Sequence, residues 1–507
     1  MTKSLSKAIA LATALGATAS AHAVNVNPEG LGQVLLYSLY TTEAGKDTSV
    51  SVTNTTDDYK AVKVRFVEAM NSAEVLDFNL YLSPRDQWSA TIVKNENGAE
   101  LVTSDTSCTA PLLINGSDTN KFKNFAYAAF TTGVNGKPLL EPIAGDGGWQ
   151  DLARTRVGHL EMIEMGTITD PAVQAMIEHV NGVPGNCDAL RSRFTAAGAV
   201  WNEKPLNAQG GSDNPNYDIA DSIQAPTGGL YGTASIIDPV NATLIGYDAT
   251  AVDNFYDTDL AEFGDHAQPG TVLPNLNSPK ASVFATFKNG ESAEYAQPID
   301  AVSAVLMKQT IENDYLAADS LKGETNWVVT FPTKRNYVYG DDSPTVIQAA
   351  APFTNVWDGA GACETLNYAY WDHEEGEPTP AEIEESPLLP SPLPPMGVEV
   401  PVGSFLCYET NIVKINGKDV LGGERPEGAG HLNLNLPAAF EKGWLQFSFN
   451  NVANSLLSED DVETYGLPVI GFSAVTVQNG FTGQAGAIAN FGTAFQHKAT
   501  TSHDIVE

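Results

Sequence analysis

The sequence predicts a mainly β protein made of immunoglobulin-like antiparallel β-sandwich domains with a small helical insert. Short runs of alternating apolar and polar residues follow one another from the start of the chain, and a period of two is typical of strands with one buried face. Asn-Gly pairs, which favour tight hairpin turns, occur seven times. One region near residues 169–198 instead repeats its apolar residues at helical spacing.

Composition limits the function classes. The 507 residues include 62 acidic and 27 basic side chains, a formal net charge of −35. This charge excludes a general nucleic-acid-binding protein, because phosphate contacts require clustered Lys and Arg. It also disfavours docking on bare anionic lipid. Hydrophobic residues make up 42% of the chain, so packed cores are expected rather than general disorder.

Residues 1–23 are predicted to be a secretory signal peptide. Lys3 and Lys7 provide a positive start, a short apolar segment follows, and Ala21 and Ala23 place small side chains where a signal peptidase cuts. The protein is therefore expected to be exported and to act at the cell surface or in the extracellular space. No later stretch approaches the ~18 apolar residues of a transmembrane segment.

Four cysteines follow the predicted signal peptide. An even, low number in an exported chain predicts two disulfides, although four free, buried thiols are the alternative. Among the three possible connectivities we favour the pairing of neighbours, Cys108 with Cys187 and Cys363 with Cys407. The chain has no C-x-x-C motif, so a zinc knuckle or a redox-active pair lacks its spacing.

Residues 24–205 are predicted to form an N-terminal β-sandwich domain. In the run at 61–68, three apolar residues lie on one side of the strand while Lys63 and Arg65 lie on the other. This pattern predicts one face in a core and one face in water. Further strands of the domain are expected at 32–40, 48–54, 80–93 and 160–165.

The helical insert near 169–198 lies within this domain. Asp170 is a suitable N-cap, and Pro171 suits the first helical position because its missing N–H would be unpaired there. The Asn181-Gly182 pair is predicted to end the first helix. A second short helix is expected at 188–197, where Cys187 would tie it to the sandwich.

The remaining chain is divided by composition into three parts. A second β-rich region covers 206–370, an acidic, Pro-rich arm or linker covers 371–401, and a C-terminal β-rich segment covers 402–507. The arm gathers acidic residues and eight prolines, which cannot pack a core. A disulfide between the flanking cysteines would close it into a long surface loop.

Secondary structure in these parts is predicted from the same periodicities. The Asn-Gly pairs at 416 and 479 are expected to form hairpin turns. A helical turn is expected at 314–321. Strands are expected at 234–237, 244–247, 282–287, 327–331, 443–450 and 469–478.

The motifs of common enzyme classes are absent. There is no G-x-S-x-G elbow, no H-E-x-x-H zinc site and no P-loop. No histidine lies at metal-ligand spacing from another, so the histidines are expected to be structural or solvated. Carboxylate pairs such as Glu161 and Glu164 could serve a glycosidase, but such pairs arise by chance in a chain with 62 acidic residues and are weak evidence for that activity. The protein is predicted not to be an enzyme and to use no organic cofactor.

Calcium is the one cofactor that the sequence suggests, because acidic and amide side chains crowd three segments and hard cations prefer several oxygen ligands on a loop. None of the segments follows the EF-hand pattern, since Ile219 stands where that pattern requires Gly. A hydrated acidic surface is the alternative. The three groups are Asp213, Asn214, Asn216, Asp218 and Asp221; Asp253, Asn254, Asp257, Asp259, Glu262 and Asp265; and Glu459, Asp460, Asp461 and Glu463.

Seven tryptophans provide candidate platforms for stacking on sugars. Most are expected in cores, as in the apolar run that contains Trp327. Trp371, which opens the acidic arm, is the one most expected to be exposed.

Two stretches carry a resemblance to known proteins. They are VNVNPEGLGQVLLYSLYTTEAGKDTSVSVTNTTDDYKAVKVRFVEAMNSAEVLDFNLYLSP (Val24 to Pro84) and NWVVTFPTKR (Asn326 to Arg335). Both resemble a family of exported proteins of marine gammaproteobacteria, one member of which is a surface-layer (S-layer) protein and biofilm-matrix component. The resemblance implies a structural protein and supplies no catalytic residues.

The expected function is therefore a structural, self-assembling cell-surface protein of the S-layer type and a component of the biofilm matrix. Polyanionic copies repel one another over a Debye length of ~8–10 Å, and divalent ions can bridge them to each other or to lipopolysaccharide on the outer face of the outer membrane. Two alternatives remain open. One is a secreted carbohydrate-binding or hydrolytic β-sandwich protein, and the other is a fimbrial or adhesin-type subunit.

Overall fold

The computed structural model describes residues 23–132, 138–195, 200–201, 220, 222–339, 349–374, 376, 404–422, 431–479 and 489–505. Nearly all of the predicted signal peptide and most of the acidic arm lie outside these residues. Val24, the expected first residue after cleavage, is buried, and its backbone N–H donates to the carbonyl of Phe284 at 2.8 Å.

Strands are numbered in chain order. Those up to residue 253 are β1 (Asn25–Val26), β2 (Val34–Thr41), β3 (Asp47–Asn54), β4 (Tyr59–Glu68), β5 (Glu74–Leu82), β6 (Gln87–Lys94), β7 (Ala99–Val102), β8 (Cys108–Ala110), β9 (Phe130–Thr132), β10 (Pro138–Ile143), β11 (Val157–Ile168), β12 (His179–Val180), β13 (Val183–Pro184), β14 (Ile223–Gln224), β15 (Leu230–Asp238), β16 (Thr243–Asp248) and β17 (Thr250–Asp253). The later strands are β18 (Phe284–Thr286), β19 (Ser292–Glu294), β20 (Met307–Lys308), β21 (Thr310–Leu316), β22 (Gly323–Thr330), β23 (Glu364–Asp372), β24 (Ser404–Leu406), β25 (Thr410–Ile415), β26 (His431–Leu434), β27 (Lys442–Ser448), β28 (Ser455–Leu457), β29 (Val462–Tyr465), β30 (Leu467–Pro468), β31 (Ile470–Asn479), β32 (Ala489–Gln496), β33 (Lys498–Thr500) and β34 (Ser502–Ile505).

Helices are few and short, so the predicted mainly β class is confirmed. Asp170 caps the first helix as predicted, accepting a hydrogen bond from the backbone N–H of Ala172 at 2.8 Å. None of the described helices has the length and apolar character needed to cross a membrane. The α-helices are α1 (Pro171–Ile177), α2 (Cys187–Thr195), α3 (Pro298–Leu306) and α4 (Lys334–Val338).

Two sheets form the first sandwich. The larger sheet has the order β1-β17-β2-β11-β4-β5-β8, with β14 beside β11, and the smaller has the order β16-β15-β3-β6-β7. Every strand pair in both sheets is antiparallel. Side chains from the inner faces of both sheets form an apolar core between them. Strand β4 contributes Val62, Val64 and Phe66 to it, as predicted.

The first sandwich extends beyond residue 205, where its end was expected. Strand β15 pairs with β3 over eight positions, and β17 pairs with both β1 and β2. These strands fill central places in the two sheets, because the backbone groups of β2 and β3 would otherwise lack partners. Sheet pairing therefore assigns residues 223–253 to the first sandwich rather than to the second β-rich region.

The second sandwich combines strands from both sides of the acidic arm. One sheet has the order β24-β23-β27-β21-β33 and the other β26-β25-β22-β31-β32. Among the strand pairs that the structure describes in these two sheets, only β25 and β26 run parallel. Trp327 and Phe447, from opposite sheets, pack at 4.9 Å between ring centroids in its core. The parts expected at 206–370 and 402–507 thus share one sandwich.

The two sandwiches are joined by continuous apolar packing. Val328 and Phe472 of the second sandwich belong to the core of the first, and Phe472 stacks on Tyr247 with ring centroids 4.5 Å apart. On β2, Val34 and Leu36 belong to one core and Leu35 and Tyr37 to the other, so both sides of this strand are buried. The shared packing makes the two sandwiches one body.

Three local predictions were wrong. The helical turn expected at 314–321 is replaced by β21 and a short 3-10 turn at 319–321, since residues 310–316 pair in register with β27. Asn181-Gly182 forms the tight turn between β12 and β13 instead of ending a helix, and both residues have positive φ. Asn416-Gly417 also turns with positive φ but is not a hairpin, because β25 pairs in parallel with β26.

Candidate functional site

The polar side of β4 is buried, which corrects the expectation that it faces water. Lys63 has no exposed surface and Arg65 is only 9% exposed. The Lys63 ammonium binds Asp77 and the carbonyl oxygen of Thr271, while the Arg65 guanidinium binds Glu74 at 2.8 Å and Glu161 at 2.6 Å. A face that reads as polar in sequence is therefore a buried layer of ion pairs.

A second group of buried charges lies at the end of β4. Arg154 binds Glu68 through Nε at 2.8 Å and Nη2 at 2.9 Å, and it binds Asp146 through Nη2 at 2.6 Å. Burial raises the pKa of Glu68, but the attraction of Arg154 outweighs it and brings that pKa down to about 2. The guanidinium also lies 4.3 Å from the ring centroid of Tyr127. Glu68 and Arg154 are thus held ionised inside the protein.

Lys334 and Glu409 form a third buried group, beside the second disulfide. The Lys334 ammonium donates long hydrogen bonds of 3.3–3.5 Å to the carbonyls of Leu406, Cys407 and Tyr408. Burial lowers the pKa of Lys334 to about 8 and raises the pKa of Glu409 to about 8. Since both residues are fully buried, we assign them to the packing of the sandwich junction.

Three histidines are neutral, of which His159 and His266 are buried and His497 is partly buried. Burial lowers the pKa of His159 and His266 to about 3 and that of His497 to about 4. His497 lies where the chain passes from one sheet of the second sandwich to the other, and its two ring nitrogens contact Asn313 and the carbonyl of Val328 at 3.0 and 2.9 Å. These contacts support the structural role expected for them.

The disulfides join neighbouring cysteines. Cys108 pairs with Cys187 and ties α2 to β8, while Cys363 pairs with Cys407. The second bond spans the acidic arm, as expected for a long loop closed at its base. Trp371 and Asp372 belong to β23 rather than to the arm, because they pair with Trp444 and Gly443 of β27.

The calcium expectation stays a prediction. Its first group, Asp213, Asn214, Asn216, Asp218 and Asp221, lies outside the described residues. In the second group, Asp257 accepts the backbone N–H of Asp259 at 2.9 Å, and Asn254 binds Asn25, while Asp253 ends β17. In the third group, Asp460 accepts Ser458, and Glu463 accepts Ser455 and Tyr465. Within the part of the chain that the structure describes, no three His, Cys, Asp or Glu side chains converge as a metal site would require.

An aromatic groove lies on the outer face of the second sandwich. Trp371 and Trp444 are directly opposite on β23 and β27, and their rings stack with centroids 3.9 Å apart and an interplanar angle of 10°. Trp444 is 36% exposed. The groove beside them has a volume of about 930 Å³ and is also lined by Asp314, Leu321 and Lys442. We call it the tryptophan groove.

Local sequence explains how the groove is built. Residues at alternate positions of β27 face outward, so Trp444 and Lys442 are exposed while Leu445 is buried. Gly443 permits the strands to approach, since a Cβ atom there would lie 1.8 Å from the carbonyl oxygen of Trp371. Asp372 is fixed by backbone N–H groups of residues 374 and 376, at 2.8 and 2.7 Å.

Sequence reasoning singled out Trp371 but missed its partner. Trp444 stands in a strand-like run, where tryptophan usually belongs to the core. The alternation of side chains along a strand provides the missing signal. Leu445 and Phe447 point inward, so Trp444 points outward. The cross-strand register that brings it to Trp371 depends on residues far apart in sequence.

A second exposed feature lies on β32, the last strand of its sheet. Phe491 and Phe495 are 64% and 53% exposed. The backbone of β32 lies close to that of β16 at Gly492, where a Cβ atom would lie 2.8 Å from the carbonyl oxygen of Leu244. Leu244 is itself 54% exposed. We call Phe491, Phe495 and Leu244 the apolar edge.

Comparisons with known proteins supply no relative from which a function could be transferred. The function must therefore be argued from the chain's own residues and geometry. No protein-family model, no curated protein and no solved structure matches the chain.

Proposed function

We propose that the protein is a structural, self-assembling protein of the cell surface, forming an S-layer and contributing to the biofilm matrix, with assembly assisted by divalent cations. Export precedes assembly, and the signal-like residues 1–23 direct it. The two disulfides support this location, since such bonds persist in oxidising compartments.

The apolar edge is the observation that carries the proposal. Exposed apolar patches on the surface of a protein mark places where another chain binds. Strand β32 lies against β16, where Asn490 donates to the carbonyl of Asn241, and Phe491 and Phe495 turn to the solvent beside Leu244. This uncharged, exposed patch favours association with another chain.

We take a second copy as the partner, because the patch is uncharged although the chain is acidic. The chain carries a net charge of −35, so two copies repel over most orientations. Because β32 itself has no charged residue, two copies that meet there bring fewer carboxylates together than over the rest of the surface. Calcium or magnesium would screen or bridge the acidic surface around the contact, and the same bridging would attach the assembly to lipopolysaccharide.

Light scattering on residues 24–507 tests this proposal. The wild type is expected to form large species when millimolar calcium is added, and Phe491→Glu to remain monomeric because it places a charge in the contact. Leu457→Glu, at a position 57% exposed on β28, serves as the matched control and is expected to assemble normally. If the wild type stays monomeric in calcium, the proposed self-assembly is overturned. If Phe491→Glu assembles like the wild type, the apolar edge is not the contact surface.

The alternatives differ in what they predict. A fimbrial or adhesin-type subunit would use the same edge but produce fibres rather than sheets. A secreted carbohydrate-binding protein is favoured by one feature, the tryptophan groove, which is compatible with a structural role and is developed below.

A further inference from the structure

We propose that the tryptophan groove is a binding site for an uncharged glycan chain, an activity that goes beyond self-assembly. Trp371 and Trp444 stack face to face at the surface, so each ring covers one face of the other and the outer sides of the pair form the apolar surface that a ligand can contact. The two C–H-bearing faces of a pyranose ring pack on such aromatic surfaces, and its hydroxyl groups require polar partners around the edge.

The polar partners are present at the rim of the groove. Asp314 lies directly opposite Trp444 in the strand register, on the side away from Trp371, and its side chain is exposed. Lys442 is exposed at the start of β27. An apolar floor with a few convergent polar groups is the usual composition of a small-molecule site. The carboxylate of Asp314 accepts sugar hydroxyls, and the Lys442 ammonium donates to ring or hydroxyl oxygens.

The dimensions fit an oligosaccharide. Trp371, Trp444 and Asp314 form one row across three adjacent strands, and adjacent strands lie about 4.8 Å apart, so the row spans about 10 Å. Trp444 also borders a second groove of about 470 Å³, which leads to Phe495. A chain longer than one sugar can therefore follow the row into the second groove.

Charge selects the class of glycan. Asp314 and Asp372 line the tryptophan groove against a single lysine, and the whole chain is strongly acidic. Uronic-acid or sulfated polymers would be repelled, and so would the acidic surface of a second copy. Neutral hexose polymers carry hydroxyl donors that match these acceptors without a charge penalty. We therefore assign the groove to neutral glycans, and the apolar edge to self-assembly.

Intrinsic tryptophan fluorescence and calorimetry on residues 24–507, without calcium, test the assignment. The probes are cellohexaose, laminarihexaose and maltohexaose, with polygalacturonate as the anionic comparison. At least one neutral hexasaccharide is expected to bind saturably and the polygalacturonate not to bind. Trp444→Ala and Trp371→Ala are each expected to weaken binding by about tenfold or more, the loss typical of a truncated central tryptophan.

Two further variants keep the test decisive. Asp314→Asn, an exposed position whose change leaves the core intact, is expected to weaken binding severalfold. Trp149→Phe, at a partly buried tryptophan outside the groove, is expected to bind like wild type. Failure of all three hexasaccharides to bind at millimolar concentration overturns the proposal, as does equal binding by Trp444→Ala or by polygalacturonate.

Phe491 separates this test from the test of assembly, because it lines neither groove. Phe491→Glu is expected to bind the hexasaccharide like wild type while losing self-association. Loss of glycan binding with intact assembly, or the reverse, therefore shows which of the two proposals has failed.

Discussion

Arg154 and Glu68 form a fully buried, two-point ion pair, with Nε and Nη2 of the guanidinium 2.8 and 2.9 Å from the two carboxylate oxygens. Glu68 additionally accepts backbone N–H groups of residues 70, 71 and 73. The pair thus ties the turn after β4 to the segment before β11. Because removal of one partner leaves uncompensated charge in the interior, it is the first place where the fold can be tested.

We predict that Arg154→Met lowers the free energy of unfolding by about 3–5 kcal/mol, because Glu68 and Asp146 both lose their cation. Chemical denaturation followed by circular dichroism measures the change. Arg85→Met is the control, since the pair of Arg85 with Asp57 is largely exposed and worth about 1 kcal/mol or less. Equal effects of the two substitutions would argue against the buried network.

Replacement of a buried glutamate by glutamine is expected to change the stability little at Glu409 and strongly at Glu68. Glu409 has a pKa of about 8 and is mostly protonated at pH 7, whereas Glu68 has a pKa of about 2 and is ionised. Glu409→Gln should therefore change the stability at pH 7 by less than about 1 kcal/mol, while Glu68→Gln should cost about 3 kcal/mol. Urea titrations of both variants at pH 7 make the comparison, and a larger loss for Glu409→Gln would contradict these assignments.

The protein is expected to lose stability as the pH falls below 6.5. His497 has a folded pKa of about 4, below its ordinary value of 6.5, so the unfolded chain binds more protons across this window. Its contribution is complete above pH 6.5 and declines by at most about 3 kcal/mol as the pH approaches 4. His159 and His266, with pKa values of about 3, act in the same direction.

Melting temperatures between pH 4 and 8 measure this effect. His497→Gln, which keeps a donor and an acceptor for Val328 and Asn313, is expected to flatten the pH dependence. His373→Gln, at an exposed position, is expected to leave it unchanged. An identical slope for His497→Gln and wild type would show that His497 is not the neutral group described here.

The stacked pair at the groove predicts a spectroscopic signature. Two indoles 3.9 Å apart and nearly parallel couple electronically, so the circular dichroism spectrum should contain an exciton couplet. Trp371→Phe is expected to abolish it and Trp149→Phe to retain it. Gly443→Ala should also weaken it, because the new methyl group would meet the backbone of Trp371. A couplet that survives in Trp371→Phe would contradict the stacked geometry.

Strand periodicity carried the prediction of the fold class. The alternation in residues 48–54 and 61–68 corresponds to β3 and β4, and the Asp170-Pro171 signal begins α1 as expected. The predicted pairing of neighbouring cysteines agrees with both disulfides. These features are local, or follow from proximity along the chain, so the sequence contains them directly.

The features that the sequence did not predict depend on contacts between residues far apart along the chain. Lys63 and Arg65 alternate with apolar residues as on a solvent-facing strand, but residues near 270 cover that side and provide partners such as the carbonyl of Thr271. Strand β15 enters the first sandwich from beyond the expected boundary because β3 needs a partner there. In the groove, Trp371 was expected to be exposed, but its contact with Trp444 arises only when β23 and β27 align.

Self-assembly is the central claim, and negative-stain electron microscopy of purified residues 24–507 tests it most directly. With millimolar calcium the account predicts extended two-dimensional sheets with a regular repeat, which disappear when the calcium is chelated. Fibres would favour the fimbrial alternative. A field of separate single particles at high protein concentration in calcium would contradict the claim.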